Sequence, residues 1–189
     1  MDYNNLTVAC SLLFVAGIID ILGIAAGQSF INGLVWNLAV FLFGLLLIAS
    51  VTFVQRALNA KLFSLLFVIA GVGAIGAALF CGCNGLLLDF VRGKPLLYYP
   101  FAIAQYLALG INAVLSYKFA KPSFSYYSVI LGAASLIMFG IWISSFKISY
   151  SGTTLPSILV DYSQSLWLIG FATYMMGKDS TKKTTVNTL

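Results

Sequence analysis

The sequence predicts an all-α fold, a compact bundle of six transmembrane helices with short loops in one polytopic domain, and three observations carry that prediction. Six blocks of about twenty apolar residues, the length needed to cross a bilayer's hydrocarbon core, fill almost all of the 189-residue chain. Only 8% of the residues are charged and 61% are hydrophobic, with a mean hydropathy of +1.00, whereas soluble domains carry roughly 25% charge. The blocks are apolar around most of their circumference, and a helix bordering water would keep one polar face.

The first span is predicted over residues 6–26. Asp2 is the only charge before Asp20, so the basic leader region of a signal peptide is missing and the block is expected to stay in the chain. The second span, 34–54, opens behind an Asn32-Gly33 turn, and the third, 62–80, carries small residues four apart: Ala70, Ala74 and Ala78, then Gly73 and Ala77. That spacing lets a second helix approach closely. Residues 85–97 mix Leu, Phe and Val with Asp89, Arg92 and Lys94, the pattern of a short amphipathic surface helix that acts either as a lid or as a plain connector. The fourth, fifth and sixth spans, 101–119, 126–144 and 158–176, start behind Pro100, Pro122 and Pro156, so no span is expected to contain an internal proline. Residues 1–177 then form the membrane domain and 178–189 a polar tail.

Direction follows from Lys and Arg, which stay on the cytoplasmic side of short loops. Arg56, Lys61, Lys118, Lys121, Lys178, Lys182 and Lys183 fall at one side of this topology, against Arg92, Lys94 and Lys147 at the other. Both termini are therefore expected in the cytoplasm, in a cell membrane. The Asn5-Leu6-Thr7 triplet matches a glycosylation acceptor but would sit on that inner side. Trp36, Tyr98, Tyr99, Trp142, Phe146 and Tyr150 fall near the predicted outer interface, where amphipathic rings settle.

Composition removes several mechanisms. The chain has ten Lys and Arg, five acidic residues that are all Asp, and no His, so it has no imidazole for haem or metal ligation and none to act as a base near neutral pH. The net charge of +5 is scattered through loops, which argues against a nucleic-acid surface, and no glycine-rich phosphate loop points to a soluble nucleotide. No cofactor, metal or catalytic residue is assigned. Cys10 lies in an apolar block, while Cys81 and Cys83 are either a strained disulfide or soft-metal pair, or two unpaired small residues at a helix end.

Polar groups inside the spans carry the functional signal, because Asp at a helix centre costs about 2.5–3.5 kcal/mol to insert and each Leu, Ile, Val or Phe returns about 0.3–0.6 kcal/mol. Asp20 lies in the first span, Asn37 in the second, Gln105 and Asn112 in the fourth, and Asp161, Ser163, Gln164 and Ser165 open the sixth. With the termini inside, most fall in the outer half, and Asn112 shares a helix face with Gln105 seven residues before it. They outline a polar cup over an apolar floor. Two readings stay open: the cup contacts a ligand, head group or partner, or Asp20 forms a buried ion pair with Arg92, Lys94 or Lys147.

The turn Asn32-Gly33-Leu34, the run from Gly71-Val72-Gly73-Ala74 to Ala78-Leu79-Phe80 and the polar loop after it give the chain a resemblance to the prokaryotic six-helix membrane proteins grouped as domain of unknown function 998. The resemblance spans most of the chain and implies fold and location, since that family has no assigned activity. Its members often carry a His soon after the third span, and this chain does not. The expected function is a non-catalytic membrane subunit or accessory protein, embedded in lipid and docking to other integral membrane subunits through small-residue faces and the cup. The alternatives are a small-solute or proton-coupled carrier using Asp20 and Asp161, and an enzyme acting on lipid head groups with Cys81 or Cys83 as nucleophile.

Overall fold

The computed structural model describes residues 3–28, 33–80, 95–145 and 155–186, and these are almost entirely helical. The helices are α1 (Tyr3–Gln28), α2 (Gly33–Leu58), α3 (Lys61–Phe80), α4 (Pro95–Leu115), α5 (Pro122–Ser145) and α6 (Leu155–Val186), with one 3-10 turn, Ser116–Phe119, after α4. Each helix packs on its neighbours in chain order and α6 returns to α1, so the six close into a ring. Neighbours run antiparallel: Gly44 meets Gly71 and Ile75, Gly73 meets Phe101 and Gln105, Gly132 meets Val114, and Gly17 meets Ser165 and Ile169. The end at which α1 begins and α6 finishes is called the near end below, and the opposite end the far end.

Local chemistry sets the helix boundaries. Pro95 and Pro122 occupy first helical positions, where a missing N–H costs nothing. Asn59, at φ 50°, takes the left-handed conformation that ends α2, and its N–H bonds the Gln55 carbonyl at 2.9 Å. Two boundaries differ from expectation. α4 begins at Pro95 and holds Pro100 inside it, where the ring removes one backbone hydrogen bond from the second turn. The stretch 95–97 therefore belongs to helix α4, while 81–94 lies outside the described residues and with it most of the expected surface helix. At the other terminus α6 passes residue 178 without a break and continues to Val186.

Five helices, α1 to α5, are long and apolar enough to cross a membrane. α6, expected as the sixth span, is longer than any of them but is kept outside that set by its Asp161, Ser163, Gln164 and Ser165. The distribution of side chains is inverted relative to a soluble bundle. Leu22, Leu62, Ile130 and Ile137 are 59–65% exposed on the outside, while Asp20, Asn37, Gln105, Asn112, Gln164 and Ser165 are at most 4% exposed within. This is the arrangement a hydrocarbon solvent favours, because lipid rewards apolar exteriors and leaves polar groups only internal partners.

α3 is the slim element on which α2 and α4 close. A Cβ on Gly71 would lie 2.8 Å from the Gly44 carbonyl oxygen, and one on Gly73 only 2.6 Å from that of Phe101. The small-residue pattern of this span thus serves contacts within the chain. In the near half, large rings fill the space between α3 and α6: Phe67 stacks on Trp167 at 6.2 Å and Trp167 on Phe171 at 5.6 Å, with Phe63 edge-on to Phe67 at 5.2 Å. Cys10 is buried in the same core.

Candidate functional site

Above the aromatic floor, toward the far end, the polar side chains gather around α6. Its helical period places Asp161, Gln164 and Ser165 on the inward-facing side of one turn, and three other helices supply their partners. Gly17 on α1 makes the first contact possible, since a Cβ there would stand 3.0 Å from the Ser165 carbonyl oxygen. One turn further along α1, Asp20 Oδ2 and Ser165 Oγ are hydrogen-bonded. Ser165 Oγ also lies 2.9 Å from the Asp161 carbonyl oxygen. A hydroxyl carries one proton, so when Ser165 donates to that carbonyl, its bond with Asp20 needs a proton on the carboxyl.

The other side of α6 is tied to α4 and α5. The Tyr106 hydroxyl hydrogen-bonds the Asp161 side chain. Gln164 Nε2 donates to the Tyr106 carbonyl oxygen and to Ser135 Oγ, both at 2.9 Å. Gln164 is 2% exposed, and its Oε1 has no hydrogen-bond partner among the described residues. Asp20, Ser165, Asp161, Tyr106, Gln164 and Ser135 thereby form one polar layer that joins four helices of the ring.

Of the residues singled out in the sequence, Asp20, Asp161, Gln164 and Ser165 belong to this layer, though in a buried rather than an open setting. Asp20, Asn37, Gln105 and Gln164 are sealed from solvent, and only Asp161 is half-buried at the rim. Asn112 does not join them. Its Nδ2 donates to the Phe63 carbonyl oxygen at 3.1 Å, which binds α4 to the first turn of α3 at the near end and leaves Asn112 among the aromatic rings. Arg92, Lys94, Lys147, Cys81 and Cys83 lie outside the described residues, and with them the expected ion pair and the cysteine pair. Among the described residues, no group of three His, Cys, Asp or Glu side chains is placed to hold a metal ion.

Tyr106 and Ser135 were missed as site residues. The signal for Tyr106 was its depth, since tyrosines favour the membrane boundary and one buried near mid-span needs a partner for its hydroxyl. Ser135 gave no such signal, because serines within apolar helices commonly bond their own backbone, as Ser50, Ser116 and Ser144 do here. No family model, curated protein or solved structure matches the chain.

Proposed function

We propose that this chain is a multi-pass protein of a cell membrane, with both termini cytoplasmic, and that it works as a non-catalytic subunit or accessory protein beside larger integral membrane partners. The observation that carries this reading is α5. It is the least embedded of the five apolar helices, with 28% of its span buried, and it turns Tyr126, Ile130 and Ile137 outward at 72%, 65% and 62% exposure. Gly140 on the same helix has open space where a side chain would be, which suits the close approach of a partner's helix. The small residues of α3 are occupied by α2 and α4 within the chain, which leaves α5 as the docking face. The likeness to the six-helix family of unknown function belongs to the same proposal.

Gentle detergent extraction should recover the chain with larger membrane proteins, and Ile137→Cys should cross-link to one of them in native membranes. A monodisperse monomer of full stability, with no cross-link at that position, would overturn the reading.

A second reading, a proton-coupled carrier, has one observation in its favour. Two carboxyl groups lie within one turn of α6 between α1 and α4, Asp20 bonded to the Ser165 hydroxyl and Asp161 to the Tyr106 hydroxyl. Asp20→Asn or Asp161→Asn should then abolish a pH-dependent flux in proteoliposomes, and unchanged flux would remove both residues from any such mechanism.

A further inference from the structure

The near end of the ring is basic on nearly every helix that reaches it. Arg56 stands in the last turn of α2, Lys61 opens α3, Lys118 lies in the 3-10 turn after α4, and Lys121 precedes α5; all four are exposed. The acidic side chains placed among the described residues, Asp20 and Asp161, both belong to the far half. α6 adds to the charge by its length. The Lys121 N–H donates to the Tyr174 hydroxyl at 2.7 Å, which fixes the level at which α6 passes the α4–α5 turn. The helix then runs on to Val186, a further twelve residues or about 18 Å at the α-helical rise, and this extension carries Lys178, Lys182 and Lys183 against one acid, Asp179.

What surrounds these charges indicates what they meet. The apolar exterior reaches right up to them: Leu62, next to Lys61, is 59% exposed, and Tyr126 on the first turns of α5 is 72% exposed. Tyr117 is 46% exposed, with Lys118 Nζ 6.0 Å from its ring centre. Cations and phenol hydroxyls thus lie at the depth where an apolar belt gives way to water, and they follow the perimeter of the ring rather than forming a single patch. A folded acidic protein or a nucleic acid would press on one continuous face. A layer of lipid head groups meets the whole rim at once.

We propose that the near end is a binding surface for anionic phosphodiester lipids, with Arg56, Lys61, Lys118 and Lys121 at head-group depth and the sequence of the α6 extension adding Lys178, Lys182 and Lys183 to the charge of that end. This inference rests on the membrane reading above.

The full chain should be reconstituted in vesicles of phosphatidylcholine containing phosphatidylglycerol, then excised with its surrounding lipid for lipid analysis. The expected result is enrichment of phosphatidylglycerol over the bulk membrane that falls as salt is raised. Preference for the anionic lipid should drop about fivefold per neutralised cation in R56Q, K61Q, K118Q and K121Q, and less in K182Q/K183Q. Arg56→Lys and Lys61→Arg, which keep the charge, should hold it. Bulk lipid composition around the native chain, or enrichment unchanged in the combined neutral variants, would overturn the inference. So would displacement of the lipid by inorganic phosphate at equal concentration, which would reveal a simple anion site. Alkaline carbonate extraction separates the two readings: a chain washed off the membrane refutes the membrane reading itself, whereas a retained chain without lipid preference refutes only this surface.

Discussion

Both halves of the ring pack aromatic side chains, and only the far half adds a polar layer that ties four helices together. The near half closes on rings, with Phe63, Phe67, Trp167 and Phe171 filling the space between α3 and α6 and Phe124 stacked on Tyr174 at 4.6 Å. The far half packs rings as well, Tyr106 against Phe139 and Trp142 and Tyr99 against Trp142, and adds the polar layer of Asp20, Ser165, Asp161, Tyr106, Gln164 and Ser135. Ring packing is non-directional and tolerates small shifts of one helix against another, while hydrogen bonds fix rotation and depth together. Ring packing is therefore common to both halves, and the polar layer of the far half sets register.

The strongest way to break this division is Trp167→Ala. The indole is fully buried, touches three aromatic rings and donates to Ser116 Oγ at 3.2 Å. Its removal should cost about 3–5 kcal/mol in a denaturant titration in mild detergent. A loss below that of the polar variants would invert the comparison. Gly73→Val comes next: its side chain must enter the space held by the Phe101 carbonyl and the Gln105 backbone, and thermal unfolding should show about 1–3 kcal/mol of overpacking.

Polar substitutions should be milder. Gln164→Leu removes the bonds to Tyr106 and Ser135, yet interhelical hydrogen bonds in membrane proteins average about 0.6 kcal/mol, so the expected loss is about 1 kcal/mol. The sharper readout for this variant is spin-label distance between α5 and α6, which should broaden if the layer sets register and stay narrow if it does not. Gly140→Ala should have the smallest effect, a gain of up to about 1 kcal/mol from helix propensity, because nothing lies within 4 Å of the added methyl. A clear loss at this position in native membranes, but not in detergent, would point to a partner helix seated there.

The helices were legible in the sequence because apolar length is a property of each segment alone. Where a segment depends on its neighbours, the reading slipped. Pro100 was taken as a boundary, but a proline in the second turn leaves a helix intact, so α4 starts at Pro95. Asn112 shares a face with Gln105, yet which layer it serves is decided by the Phe63 carbonyl, forty-nine residues away. Asp20, Asn37 and Gln164 were recognisable as polar groups costly to place in apolar spans, while the joining of Asp20 and Gln164 into one layer required the ring to close. Ser135 matters only because Gln164 reaches it, a fact no local pattern encodes.

The closing helix has a consequence for how such a chain is made. α6 leaves the ribosome after the five other helices and is the one least able to enter lipid unaided, since its Asp161, Gln164 and Ser165 need company. Every partner that greets them, Asp20, Tyr106 and Ser135, sits on a helix synthesised earlier. Under the membrane reading, the first five segments act as a template for the sixth, and a chain stopped before residue 155 would leave Asp20 facing oil.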